Sequence, residues 1–229
     1  MKARDVMGTH VITVGPDQDV RTAAKLLLKH RISAVPVVDP KSGELLGIVS
    51  EGDLIRRTEA GTDRAHSWFL DLFTSPQELA QDFVRSHARK VKDVMTRDVV
   101  TAGPDTPLRE IANLLEKHGI KRVPIVSNER LSGIVSRANL VQVLASRSGG
   151  IVGVEPSDQK LREAVVASFA KQPGGTALVN VIAESGVINL WGFVANEEER
   201  KAIRVAAEVT PGVRAVNDNL HIRNFVAAI

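Results

Sequence analysis

Two short stretches of this chain carry residue types at a spacing that suits ligand chemistry. They are Gly47-Ile48-Val49-Ser50-Glu51-Gly52-Asp53 and Gly133-Ile134-Val135-Ser136-Arg137-Ala138-Asn139. In each, a β-branched run stops at a serine and helix-compatible residues follow, which reads as a strand–helix junction. Ser50 and Ser136 then fall at the N-cap, where free backbone N–H groups and the helix dipole favour an anion such as phosphate. Asp53 lies one turn in, its side chain tilted back towards the helix start. A carboxylate there can accept hydrogen bonds from two ribose hydroxyls. Gly47 is read as leaving the backbone open to a ligand. The same Ser-x-x-Asp spacing is also a capping-box pattern, which needs no ligand, and spacing alone leaves both readings open. Asn139 makes the second stretch a poorer capping box, and Arg137 stands beside the second phosphate seat.

No other constellation competes. The histidines at 10, 30, 66, 87, 118 and 221 show no metal-ligand spacing, and no metal is expected. His30 and His118 end predicted helices, where a cation suits the dipole. No nucleophile with a base, paired carboxylates or GxxxxGK loop emerges, so the chain reads as a non-enzyme. Aromatics are 3% with no Tyr, which leaves little for base stacking. Residues 1–150 carry 22 Lys and Arg against 18 Asp and Glu, and residues 151–229 carry 8 against 9. That balance gives neither nucleic acid nor anionic lipid a bulk-charge footprint, and no nucleic-acid partner is expected. There are no cysteines, so thiol chemistry is excluded. The start, MKARDVMGTHVITV, has no signal-like apolar run, and no window reaches the ~20 apolar residues of a membrane span. The expected location is the cytoplasm.

The elements that must position the two junctions come from a duplication. Residues 6–38 realign on 94–126 with 17 of 33 positions identical, and Gly47–Ser50 then matches Gly133–Ser136. Two copies, not a long array, suggest a pseudo-symmetric pair with a cleft between the halves. Each copy reads β-α-β-β-α. In the first, the expected elements are a strand over 11–14, a helix over 19–31, strands over 34–38 and 45–49, and a helix after Ser50. In the second they are a strand over 99–102, a helix over 107–118, strands over 122–126 and 131–135, and a helix from 137. Between the copies, residues 56–90 look mostly helical. Trp68, Phe69, Leu72, Phe73, Leu79, Phe83 and Val84 make one apolar face, read as a packing or dimer helix.

After a Ser148-Gly149-Gly150 linker the pattern changes. A helix is expected over 157–172, with Leu161, Val165, Val166 and Phe169 inward, capped at Ser157 or Asp158. Strands over 177–183 and 187–194, a helix over 196–209 and a strand over 213–222 complete αββαβ. Gly186, Gly192 and Gly212 are read as turn and spacing residues.

The duplicated Val-Met, Gly-Pro-Asp, Val-Pro and Gly-Ile-Val-Ser motifs resemble a pair of CBS domains (a Bateman module). The tail, with Val179-x-Val181, Gly186-Val187-Ile188, Leu190-x-Gly192-x-Val194 and Pro211-Gly212-Val213, resembles a BON domain. The resemblance implies an α/β (α+β) fold: a tandem CBS pair with pseudo-two-fold symmetry plus a small αββαβ domain. It divides the chain into a CBS domain (1–57), a helical segment (58–90), a second CBS domain (91–147), a linker (148–154) and a BON domain (155–226). It implies an adenine nucleotide as regulatory ligand: AMP, ADP or ATP, with NAD and S-adenosylmethionine as further members of the class. The carried-over positions are Asp53 for ribose, Ser50 for phosphate, Thr13 at the end of the first strand, and Ala34, Val35 and Pro36 for adenine. In the second copy they are Asn139, Ser136, Arg137, Thr101, Lys121, Arg122, Val123 and Pro124. Asn139 stands where the family has Asp, which makes Asp53 the better site. Lys121 and Arg122 replace Ser33 and Ala34 and make the two sites electrically unequal; phosphate ligation and solvated surface charge both remain open for them. The implied protein is a regulatory sensor in signal transduction, a homodimer through the CBS pair, with the BON domain meeting a partner protein or membrane surface. The alternative is an interaction scaffold without a nucleotide.

Overall fold

The computed structural model describes residues 1–55, 84, 87–146, 156–169 and 178–223. After a 3-10 turn at Ala3–Asp5 come α1 (Val20–His30), β1 (Ala34–Val38), β2 (Leu45–Ser50), α2 (Glu51–Leu54), α3 (Val91–Val94), α4 (Leu108–Lys117), β3 (Arg122–Ser127), β4 (Arg130–Ser136) and α5 (Arg137–Ser146). Then follow α6 (Pro156–Phe169), β5 (Val179–Glu184), β6 (Val187–Val194), α7 (Glu197–Glu208) and β7 (Ala215–Ile222). The helix face expected at Trp68–Phe83 and the linker at 148–150 lie outside the described residues.

The strands expected over 11–14 and 99–102 shrink to single-residue parallel bridges, Val14 with Val37 and Ala102 with Ile125. Gly15-Pro16 and Gly103-Pro104 follow at once, and proline brings no N–H to continue a ladder. The short helices at Ala3–Asp5 and α3 were not expected. Each stands just ahead of, or overlaps, a Val-Met pair.

The chain forms two compact units, one of residues 12–99 with 128–131, the other of residues 1–11, 100–127 and 132–229. In the first, Asp19 caps α1 by accepting from the Arg21 N–H at 2.7 Å, and Arg31 closes it in the left-handed region. α1 buries Val20, Ala23 and Leu27 against Val35 and Val37 of β1, Val49 of β2, and Val91, Val94 and Met95. β1 and β2 pair antiparallel, with Ala34 opposite Ser50 and Pro36 opposite Ile48.

In the second unit, α4 buries Ile111 and Leu115 on Val123 and Ile125 of β3 and Val135 of β4, joined by Ala3, Val6 and Met7. The Val-Met pair that opens each repeat thus sits in a core with the other repeat's hairpin. The same unit holds the αββαβ tail. β5 pairs antiparallel with β6, and β6 parallel with β7. Leu161, Val165 and Phe169 of α6 and Ile203, Ala206 and Ala207 of α7 pack on one face of that sheet, against Val181, Ala183, Ile188, Leu190 and Leu220.

Candidate functional site

Both junctions form, and both close on themselves. The Ser50 N–H donates to Asp53 Oδ2 at 2.7 Å, and the Ser50 hydroxyl donates to the same oxygen at 2.6 Å. The Ser136 N–H and hydroxyl donate to Asn139 Oδ1 at 2.7 and 2.8 Å, and the Asn139 N–H returns to Ser136 Oγ at 3.4 Å. The capping geometry is therefore realised in each copy. At Asp53 both bonds converge on Oδ2, and among the described residues Oδ1 has no partner.

The hairpin register assembles the rest. Ala34, opposite Ser50, brings the Ala34-Val35-Pro36 run beside the first junction. The Val14 N–H donates to the Pro36 carbonyl at 3.0 Å, which brings Thr13 to that end of β1. Glu51 N–H donates to the Ser33 carbonyl at 3.0 Å and ties the helix start to the same strand. The second copy repeats this with Ala102 N–H on the Pro124 carbonyl at 3.2 Å and Arg137 N–H on the Lys121 carbonyl at 3.1 Å. These bonds tie the Thr101-Ala102 step to β3 at Pro124 and the Lys121-Arg122 end of β3 to the helix start at Arg137. Thr101 and Lys121 are exposed, whereas Val123 and Pro124 are buried.

Two expected roles change. Gly47 faces packed protein, not an open backbone. A Cβ there would stand 2.8 Å from both Met95 Sδ and the Thr96 carbonyl oxygen, so the glycine makes room for the Val-Met segment. Gly133 does the same for Met7. Arg137, read as standing beside the second phosphate seat, engages backbone carbonyls in this structure. Its guanidinium donates to the carbonyls of Ile120 at 3.1 Å and Leu115 at 3.4 Å, just after and within α4, where a cation suits the dipole. Among the described residues no group of three or more His, Asp or Glu is placed to hold a metal ion.

A family model described as the CBS domain matches residues 3–59 and 91–146, and one described as the BON domain matches residues 157–224. The chain belongs to the CBS-domain proteins and carries a BON domain after its CBS pair. It is 34% identical over 155 residues to the uncharacterized protein MJ1426 of Methanocaldococcus jannaschii, covering 63% of this chain and 91% of that one. It is 30% identical over 159 residues to the CBS domain-containing protein YhcV of Bacillus subtilis, covering 69% and 96%. Among solved structures it resembles CBSX2 in complex with AMP, with a TM-score of 0.55 and 25% identity over 65% of this chain and 99% of that one.

The BON domain meets the second CBS copy through residues that pattern reading passed over. Arg162 is 5% exposed. It donates to the Val181 carbonyl at 2.8 Å and to the Met7 carbonyl at 2.5 Å. Burial pushes its guanidinium down to about 10, against the pull of Asp5 and Glu163. Gln142 Oε1 accepts from Asn139 Nδ2 at 3.2 Å and from Asn180 Nδ2 at 2.9 Å. Trp191 Nε1 donates to Ser146 Oγ at 2.9 Å. The available signal was a charge at 162, in helical register with Asp158, Val165 and Phe169 on an inward stripe. Asp158, expected as a helix cap, instead accepts from the Ser185 and Gly186 N–H groups at 2.8 and 2.9 Å and fixes the β5–β6 turn.

Proposed function

We propose that the protein is a non-catalytic sensor of an adenine nucleotide of the AMP, ADP or ATP class, held at the Asp53 junction of its first CBS copy. The observation that carries the reading is the register that sets Ala34-Val35-Pro36 against Ser50 while Asp53 keeps one carboxylate oxygen unengaged. Oδ1 accepts the ribose hydroxyls, the run Ala34–Pro36 and Thr13 border the base, and Ser50 turns its hydroxyl from Asp53 to phosphate. The likeness to CBSX2 in complex with AMP supports the ligand class. Asn139, Ser136, Arg137, Thr101, Lys121, Arg122, Val123 and Pro124 are the matching positions of the second copy, outside the Asp53 site. The BON domain passes the bound state to a partner protein or a membrane surface. A cytoplasmic homodimer through the CBS pair completes the reading. Val141 and Leu144 of α5, 64% and 76% exposed, offer such an assembly an apolar stripe.

The test is a thermal-shift screen of AMP, ADP, ATP, NAD and S-adenosylmethionine on the full chain and on Asp53→Ala. Ligand at 100 times its Kd adds about 2.7 kcal/mol, or ~5–11 °C for a chain of this size. A shift that disappears in Asp53→Ala supports the sensor. No shift with any compound sinks it. The bonds by which each serine junction satisfies its own cap favour the second reading, an interaction scaffold, which that outcome would leave standing.

A further inference from the structure

The two junctions differ at one position in a way that the BON domain explains. In α5 the buried residues Asn139, Val143 and Ser146 line one face, with Gln142 beside them. That face meets the side of the BON sheet that α6 and α7 do not cover. β5 alternates, as a strand must. Val181 and Ala183 enter the BON core, whereas Ile182 joins Ala3, Val6, Met7 and Val143 in the CBS core. Trp191 of β6 packs against that same cluster, one residue from Leu190, which points the other way. Arg162 crosses the seam to the Met7 carbonyl. Asn139 lies at the edge of this contact, 9% exposed, and uses both ends of its amide. The oxygen takes the two Ser136 bonds, and the nitrogen donates to Gln142, which also holds Asn180. A carboxylate at this position has no hydrogen to give Gln142, and it would bring a charge into the seam.

We infer that the second junction is the joint that docks the BON domain, with Asn139 as a docking residue, so that each chain binds one nucleotide, at Asp53. The stoichiometry rests on the nucleotide reading above; the joint does not. The joint holds the BON domain as a fixed body on the second CBS copy through an apolar contact, an amide relay and a buried cation. A nucleotide at the first junction then acts on a preassembled second unit.

Trp191 reports on the joint directly. The chain has two tryptophans, so Trp68→Phe leaves Trp191 alone. In that background, Gln142→Ala and Asn180→Ala are made on opposite sides of the seam, with circular dichroism confirming that each folds. Both are expected to shift Trp191 emission to the red and raise its quenching by acrylamide. Calorimetric titration with AMP and with ATP is expected to give one site per chain in the parent. Asn139→Ala should keep that site and loosen Trp191, and Asp53→Ala should lose the site and leave Trp191 unchanged. Two sites per chain, or loss of binding in Asn139→Ala with Trp191 unmoved, overturns the assignment. Unchanged Trp191 in both seam variants overturns the joint. If neither nucleotide binds the parent, the nucleotide reading and its stoichiometry fall together, and the Trp191 shifts alone decide the joint.

Discussion

The two hydrogen bonds that Asp53 accepts from Ser50 share one oxygen, and the second CBS copy shows what an amide does in the same place. Asn139 caps Ser136 at nearly the same distances, 2.7 and 2.8 Å against 2.7 and 2.6 Å. Asp53→Asn should therefore keep the cap and hold the melting temperature within a degree or two. It should weaken nucleotide binding, because a bond to a charged acceptor is about twice as strong as a neutral one. Asp53→Ala should lose the cap as well, about 1 kcal/mol. Thermal melts with and without AMP separate the two effects. Gly47 gives the opposite pattern. Gly47→Ala drives a methyl into Met95 and the Thr96 carbonyl, and overpacking of this kind costs about 1–3 kcal/mol. Lower stability of the ligand-free variant is the expected result. A melt unchanged without ligand, with weakened nucleotide binding, would restore the ligand-approach role.

At the scale of elements, turn chemistry decides where the strands meet. Asp39 accepts from the Lys41 and Ser42 N–H groups, both at 2.8 Å, between β1 and β2. The Ser42 bond and then the Lys41 bond hold its carboxyl below the usual 3.8. A carboxylate depressed in the folded state stabilises fully above its unfolded value, and that contribution is lost as pH falls through the lower, folded value. The hairpin should thus begin to weaken below about pH 4, and Asp39→Asn should remove this acid dependence. NMR titration of Asp39 reads the shift directly, and a midpoint at or above 3.8 would contradict the turn geometry. In the BON sheet, Gly192 has φ +131°, and a Cβ there would meet the Leu178 carbonyl oxygen at 1.9 Å. Gly192→Ala should lower the melting temperature by ~4 °C or more, from at least about 2 kcal/mol of strain and clash.

Across the whole second unit, the buried cation is the most exacting contact. Arg162→Ala leaves the Met7 and Val181 carbonyls without their donor, and an unpaired buried polar group costs about 1–3 kcal/mol. We expect a net loss of about 2–4 kcal/mol in urea unfolding, since relief of the cation's desolvation offsets part of it. Trp191 should become more accessible before the chain unfolds globally. An Arg162→Ala chain as stable as the parent would mean that this buried contact contributes nothing to the second unit's stability. The units themselves cut across the duplication, because Val6-Met7 and Val94-Met95 each complete a core with the other repeat's hairpin. Mutating either Met is therefore expected to act on the hairpin of the opposite repeat, where Gly133 and Gly47 receive them.

The duplication, the CBS-pair and BON architecture, the main helices and hairpins, and the two serine junctions were all legible in the residues. Each rests on local pattern: the 3-and-4 spacing in α1 and α4, the Val-Pro runs of β1 and β3, and the turn residues after Val38 and Glu184. The one-residue bridges at Val14 and Ala102 were overread, because a β-branched run looks the same whether or not a ladder continues past the following Gly-Pro. The sequence also raised Asp53 above Asn139 as a ligand residue, but it offered no reason for the asparagine. That reason is tertiary. Gln142, Asn180, Arg162 and Trp191 lie up to 49 residues apart in the chain, and no period or spacing couples them. Only packing the BON sheet on α5 brings their donors and acceptors within bonding distance, just as only the packing of Val94-Met95 on the β1–β2 hairpin turns Gly47 from open backbone into a seat for methionine.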